Sequence, residues 1–500
     1  MRRFALSILM LLVLGACKHT PPLTLDDVAY ADQHKCNLVR IGIDQPLPDQ
    51  PSLRSIVGPN PGDMLLLSGG SQHGAFGAGF LAGWQERLRI EAGQDSDVKL
   101  PAFHVVTGIS TGGLQATGAF IGDPTITVGG YTIDKEQDLL KTYIDGSALE
   151  SGLGARALFK AVRKGAISDL VPLRPRLEDI LTDAVLREVA EGYRNDRRLL
   201  IGATDLDLGK AIAFDLSELA HRYASVPDNH GELGDGRKSA TEQRAHLKNC
   251  YIEALVASSI VPPAAKPVFI DNRMYIDGGV RFGLFDDRIG EIIADTRRTK
   301  SVRSASVAPP GTVSSPKGPT LFTILNGKGD LGPSCAGLSN ADCAALSSTS
   351  GQHEDWDVLS VAFRAVDLLK GQVQRLSVDR VGSRANSLGG TQRFVRINSA
   401  ELTGERYTFE VPDFEGRKDC SSWLEDDDSV DKPLEFHKRY MRCLIEYGRC
   451  RGLLDDWDRS TQAPRQRRED LGDDMRQAVQ SCPDGLFAQD EPVGRGSKAG

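Results

Sequence analysis

Residues 103–120 run FHVVTGISTGGLQATGAF, and three successive parts can be distinguished in them. A short β-branched run, Val105 to Thr107, leads into Gly108-Ile109-Ser110-Thr111-Gly112, and a series of small residues compatible with a helix follows. Strand, sharp turn and helix in that order, with a serine at the turn, push a hydroxyl out beyond the end of a sheet; the flanking glycines permit a turn that larger side chains would block. A bare GxSxG is common by chance, because serine and glycine are common. Here the strand before it and the helix after it make a nucleophilic serine the better reading. A helix beginning at Thr111 also favours negative charge beside that serine.

Upstream, Leu65 to Trp84 is LLLSGGSQHGAFGAGFLAGW, with five glycines from position 69 to position 79. The three leucines predict a buried strand, and the residues after the loop predict an amphipathic helix. A loop with so few side chains leaves its N–H groups uncovered, so it suits something negative: a phosphate, or the oxyanion of acyl transfer. Gly74, Gly77 and Gly79 give GxxGxG rather than the dinucleotide GxGxxG, and no GK[ST] follows, which disfavours a nucleotide. Downstream, Phe269 to Gly283 is FIDNRMYIDGGVRFG. A turn at Asp271-Asn272 joins two predicted strands, and the second delivers Asp277 into Gly278-Gly279. Taken alone, that aspartate is a turn former.

Glycine-rich loop, GxSxG and Asp-Gly-Gly, in that order, resemble the patatin-like phospholipase family over roughly residues 62–290. The resemblance implies a three-layer α/β/α fold with a mainly parallel central sheet and a catalytic Ser–Asp dyad, and it implies no cofactor. By position, it makes Ser110 the nucleophile, Asp277 its partner base, and the backbone around Gly69, Gly70, Ser71 and Gln72 the oxyanion hole. IGATDLDLGKAIAFD, Ile201 to Asp215, and ALVASSIVPPAAKPV, Ala254 to Val268, are similar to scaffold segments of the family. Two positions depart from its pattern: Ser71 stands where a third glycine is usual, and His73 where an arginine is usual. The implied activity is that of a lipid acyl hydrolase of phospholipase A or lysophospholipase type. One alternative is a protein of this fold with little catalysis, serving in lipid binding or envelope assembly. Another is an esterase with a Ser–Asp–His triad, for which His221, His230, His246, His353 and His437 follow the serine. His353, in GQHEDWD, is the strongest of these, and its plainer reading is a surface residue near a helix start. A carboxylate base must be ionised, so activity is expected to fall as acid protonates Asp277.

At the N-terminus, Arg2 and Arg3 precede the apolar run Phe4 to Leu14, which is too short to span a bilayer and has the form of a secretory signal. It ends in Leu14-Gly15-Ala16-Cys17, which resembles the lipobox of bacterial lipoproteins. That resemblance implies a signal peptide over 1–16, a lipidated Cys17 and a membrane as partner; Lys18 in place of an aspartate points to the outer membrane of a bacterial envelope. The proline-bearing residues 17–61 read as an anchor and extended linker. The composition, 40% hydrophobic and 26% charged with a net charge of −8, lacks the basic footprint of a nucleic-acid binder. Setting Cys17 aside leaves an even number of cysteines from a total of nine, in a compartment that permits disulfides. Their spacing does not suit a zinc site, and no metal is expected.

The strands TLFTILNG and TQRFVRINS extend the hydrolase domain over 62–415. Beyond it, 416–488 is expected to be a helical, cysteine-bearing module of its own, and 489–500 a disordered tail. Phe436, Tyr440, Leu444 and Tyr447 recur at helical spacing, which puts Cys443 and Cys450 on one face about 10 Å apart, too far to bridge each other. The expected pairs are Cys443–Cys482 and Cys420–Cys450, with Cys36–Cys250 and Cys335–Cys343 as further ones.

Overall fold

The computed structural model describes residues 35–58, 61–94, 97–126, 173–227, 239–260, 267–285, 319–327, 391–430, 437–457 and 465–488, with part of 365–380. The signal, Cys17, His230, Cys335, Cys343, His353 and the tail lie outside the described residues.

Among the described residues, nine strands build the central sheet: β1 (Arg40–Gly42), β2 (Met64–Leu67), β3 (Val105–Ile109), β4 (Arg198–Asp205), β5 (Lys210–Asp215), β6 (Val268–Ile270), β7 (Arg273–Asp277), β8 (Thr320–Leu325) and β9 (Thr391–Arg396). Their spatial order is β1-β5-β4-β3-β2-β8-β9, with β7 added to β4 and β6 to β7. From β4 to β9 along that order all neighbours are parallel, while β5, β1 and the β6–β7 hairpin are antiparallel additions. Every residue of β2 and β3 is buried, as central parallel strands covered on both faces require. Alternate side chains serve the two faces: Leu65, Leu67 and Val106 join one core, and Met64, Leu66, Val105 and Ile109 the other. Helices α1 (Gly74–Glu91), α2 (Thr111–Ile121), α3 (Asp183–Arg194), α4 (Leu216–Ala224) and α5 (Ala240–Ser259) supply the first core. The short helix Leu53–Val57 together with Phe282, Leu284 and Phe285 lines the second. The three-layer architecture implied by the sequence is therefore the one observed.

The folded body begins earlier than the linker boundary at 61 implied. Cys36 is bonded to Cys250 of α5, β1 pairs with the edge of β5, and the Asp271 carboxylate accepts the N–H groups of Cys36, Asn37 and Leu38 at 2.7–2.9 Å. Asp271 and Asn272 both have positive φ, 49° and 63°, as the predicted two-residue hairpin turn demands.

Towards the C-terminus come α6 (Cys420–Val430), α7 (Lys438–Leu453) and α8 (Asp473–Ala478). Rather than standing apart as an independent module, α7 contributes Tyr440, Leu444, Tyr447 and Leu453 to the same core as the sheet. It meets α1 backbone to backbone. A Cβ on Gly79 or Gly83 would lie 2.1 Å from the carbonyl oxygen of Ile445 or Arg449, and one on Gly448 or Gly452 would lie 2.1 or 2.2 Å from that of Phe76 or Phe80. This crossing also corrects the expectation that α1 is amphipathic: Gly74–Leu81 and Gly83–Gln85 are buried, because α7 covers the side that water would otherwise reach.

Two of the expected disulfides exchange partners. Cys420 is bonded to Cys443 and Cys450 to Cys482, while Cys443 and Cys450 remain unbridged to each other, as their helical spacing requires. Asp427 near the end of α6 accepts the N–H groups of Arg439 and Tyr440 at 2.8 and 3.1 Å. With α6 antiparallel to α7 from that point, Cys420, two turns back, falls beside Cys443 and not beside Cys450.

Candidate active site

The site forms where two strands meet end to end. On one edge of β4, Ile109 of β3 lies opposite Gly202, and Asp277 of β7 lies opposite the next residue, Ala203. The other edge of β4 is occupied by β5. Thus β3, ending in Ile109-Ser110, and β7, running the opposite way and ending in Asp277, abut. Two residues 167 positions apart, as their numbers show, are brought to one place. Gly278 makes the approach possible: a Cβ there would lie 2.8 Å from the carbonyl oxygen of Gly202 and 3.0 Å from Ile109 Cγ2.

Ser110 stands at the predicted elbow with φ 55° and ψ −127°, a conformation that L-residues adopt only when their surroundings impose it. The constraint is visible on every side. A Cβ on Gly108 would lie 2.3 Å from the carbonyl oxygen of Gly112, and one on Gly112 would lie 2.5 Å from that of Ser68. The Ser110 N–H donates to Ser258 Oγ at 2.9 Å, and that hydroxyl donates to the carbonyl of Gly202 at 2.6 Å. The Ser110 carbonyl accepts from Gly113 and Leu114 at the start of α2. Asp277 is fully buried. Its Oδ1 accepts the Gly279 N–H at 2.6 Å, its own N–H donates to the carbonyl of Ile260 at 2.7 Å, and its carbonyl accepts from Thr204 Oγ1 at 3.1 Å.

The glycine-rich loop lies directly on the serine. A Cβ on Gly69 would lie 3.0 Å from Ser110 Cβ and 3.7 Å from its Oγ, and one on Gly70 would collide with the carbonyl of Asn326 at 1.6 Å. Ser71 adopts φ 52°, the left-handed region that a glycine enters without strain. Ser71–His73 then forms a single 3₁₀ turn into α1. The loop's carbonyls are held by the protein. That of Ser68 accepts from Asn326 Nδ2 at 2.7 Å, that of Gly69 from Ser68 Oγ and Gln374 Nε2, both at 2.8 Å, and that of Gly70 from the His73 N–H at 3.0 Å. The N–H groups of Gly69 and Gly70 make no hydrogen bond among the described residues. The Gln72 side chain points elsewhere: its Oε1 accepts the main-chain N–H of His437 at 3.0 Å and contacts His437 Nδ1 at 2.9 Å.

Among the described histidines that follow the serine, His221 stacks on Tyr193, His246 Nε2 contacts the carbonyl of Lys35 at 3.0 Å, and His437 lies between Gln72 and Asp428; none hydrogen-bonds Ser110. No cluster of three or more His, Cys, Asp or Glu suited to a metal occurs among the described residues, and no helix there is long and apolar enough to cross a membrane. The structure thus brings Ser110, Asp277, Gly69 and Gly70 together, and Ser71 and Gln72 follow directly in the turn Ser71–His73. Sequence reasoning missed Ser258, Asn326 and Gln374, and weighed His437 only as a triad histidine. Ser258 lies in a segment read as scaffold, and Asn326 and Gln374 follow the last motif by dozens of residues with no local pattern to mark them.

The mostly parallel sheet thus lies between helices, with a strained serine at the end of one strand and an aspartate at the end of another. In keeping with this, residues 65–285 match the family model described as Patatin-like phospholipase. The match begins with β2 and the glycine loop and closes just after Asp277, so Asn326, Gln374 and His437 lie beyond it. No curated protein matches the chain.

Proposed function

We propose that this protein is a lipid acyl hydrolase of phospholipase A or lysophospholipase type, held at a membrane by a lipidated Cys17. Ser110 is the nucleophile and Asp277 the general base, and the N–H groups of the glycine loop hold the oxyanion. The observation that carries the reading is the convergence of Ser110 in its left-handed turn, the abutting strand end at Asp277 and the close approach of Gly69 to the serine.

In the reaction that follows from this arrangement, the Asp277 carboxylate takes the hydroxyl proton as Ser110 Oγ attacks the ester carbonyl. The new oxyanion is met by the N–H groups of Gly69 and Gly70, which are free of competing bonds among the described residues. Collapse expels the lipid alkoxide, which receives the proton from Asp277 and leaves an acyl-serine. Water then gives a proton to Asp277 and attacks the acyl carbon, and the second collapse returns that proton to Ser110 as the fatty acid departs. The Ser110 N–H takes no part, since Ser258 already holds it.

The test is labelling of the native and the denatured protein by a fluorophosphonate. Incorporation at Ser110 in the native protein alone is the expected result; no incorporation, with no fatty acid released from phospholipid vesicles, favours a lipid-binding role for the same fold. For the anchor, Cys17→Ser is expected to abolish metabolic fatty-acid labelling and to move the protein to the soluble fraction. Label retained by that variant rules the anchor out.

A further inference from the structure

We infer that Gln374 is a positioning residue for the oxyanion loop: by holding the carbonyl of Gly69 it aims the N–H of Gly70 at the developing oxyanion on Ser110. The inference deepens the hydrolase reading and rests on it.

In a trans peptide the C=O of one residue and the N–H of the next point in opposite directions, so fixing the Gly69 oxygen fixes the direction of the Gly70 N–H. A Gly-Gly linkage is where such a plane turns over most readily, because neither residue carries a Cβ to restrict φ and ψ. If this plane turned over, the Gly69 carbonyl dipole would take the place of the N–H donor, and a hydrogen-bond acceptor would face the oxyanion. A loop that stabilises negative charge at this position therefore needs its carbonyls tied down.

The ties are present, and Gln374 supplies one of the two at Gly69. Its Nε2 donates to the Gly69 oxygen at 2.8 Å, and Ser68 Oγ donates to the same oxygen at 2.8 Å. On either side, the carbonyls of Ser68 and Gly70 are held by Asn326 and His73. The helical residues 371–377 that carry Gln374 also grip the chain just past the candidate base: a Cβ on Gly283 would lie 2.7 Å from Gln374 Cα, and the Gly283 N–H donates to Ser377 Oγ at 3.1 Å. One turn of helix thus contacts both the loop beside Ser110 and the segment that follows Asp277. It lies outside the stretch matched to the family, residues 65–285.

The experiment compares Gln374→Met, which keeps the length and loses the donor, with Gln374→Glu, which keeps the shape and replaces the donor by an acceptor. Removing one oxyanion donor outright costs on the order of 10²–10³-fold in rate. Removing a group that only orients one, with Ser68 Oγ still in place, is expected to slow fluorophosphonate incorporation at Ser110 about tenfold in Gln374→Met and more in Gln374→Glu. The loss should fall on kcat with KM and the melting temperature unchanged, which a general packing role would not produce. Hydrogen exchange over residues 64–75 supplies a readout independent of turnover: faster exchange in Gln374→Met is expected. Incorporation at the wild-type rate in both variants overturns the inference. If the wild-type protein itself takes up no fluorophosphonate, the hydrolase reading is what fails, and exchange that is equal in wild type and Gln374→Met then overturns the clamp separately.

Discussion

Gly69 and Ser71 lie two residues apart in one loop, and each position favours glycine for a different reason. At Gly69 the obstacle is the serine itself, since an added Cβ would sit 3.0 Å from Ser110 Cβ. At Ser71 the obstacle is the backbone, whose φ of 52° favours the residue without a side chain. Gly69→Ala is accordingly expected to lower ester turnover at least about tenfold, because a displacement of the oxyanion donors of even 1 Å is costly, while the melting temperature stays close to wild type. Ser71→Gly is expected to keep both, with stability changed by less than about 1 kcal/mol. Paired turnover and melting measurements check this, and an active Gly69→Ala would remove the loop from the mechanism. The Ser110 elbow and the glycine loop were legible in the sequence because each is marked by its immediate neighbours, an elbow or a tight turn being a local event, whereas Asp277, by its neighbours a turn former, was singled out by the resemblance. Ser258, Asn326 and Gln374 act on the same few atoms from 148, 258 and 305 residues away. Nothing near them in the chain records that task.

Periodicity predicted α7 as a helix, yet it could not say which surface the helix would cover. The information was partly present in a form that periodicity does not use: Gly79 and Gly83 in α1, and Gly448 and Gly452 in α7, are each four residues apart and so line one face of their helix. Two such faces let the helices touch through their backbones. Gly448→Ala should therefore be poorly tolerated, since its Cβ would lie 2.1 Å from the Phe76 carbonyl oxygen and 2.8 Å from the Phe80 nitrogen, and backbone cannot step aside as a side chain can. The expected loss is about 1–3 kcal/mol, read from denaturant unfolding, and a wild-type midpoint for the variant would contradict the packing described. The disulfides teach a related lesson. Helical geometry excluded the Cys443–Cys450 bridge correctly, but the remaining choice depended on how α6 turns back along α7. That turn is set by Asp427 receiving two N–H groups at the start of α7, a tertiary contact with no signature of its own.

At the scale of the whole molecule, the mainly parallel sheet was legible through the resemblance that the three motifs carry, whereas the joining of the C-terminal region to it, which involves buried charge, was not. Glu401, just past β9, accepts from Tyr447 at 2.7 Å and lies 3.3 Å from the Arg451 guanidinium and 2.5 Å from that of Arg465. Burial alone would raise its carboxyl. The guanidinium groups of Arg451 and Arg465, helped by the Tyr447 hydroxyl, outweigh that and hold it below the usual carboxylate range. A carboxyl whose folded pKa lies below its unfolded value, about 4.3 for glutamate, gives its full stabilisation above that unfolded value and loses it as pH falls through the folded one. Removing one partner of a buried ion pair typically costs about 3–5 kcal/mol, so Glu401→Gln is expected to destabilise by that order at pH 7. The gap to wild type should narrow as acid protonates Glu401 in the parent protein. Unfolding curves at neutral and acid pH provide the check, and a pH-independent gap would show that the charge of Glu401 does not join the two regions.

The same long-range assembly underlies the proposed catalysis, in which two strand ends from distant parts of the chain supply the whole proton-transfer machinery. The most direct measurement is fatty-acid release from phospholipid vesicles by Asp277→Asn and His353→Ala, each compared with wild type and with folding verified by circular dichroism. A general base contributes about 10²–10⁴-fold, so Asp277→Asn is predicted to lose activity by that factor, falling towards the level of Ser110→Ala, while His353→Ala keeps most of it. An active Asp277→Asn alongside an inactive His353→Ala would contradict the dyad.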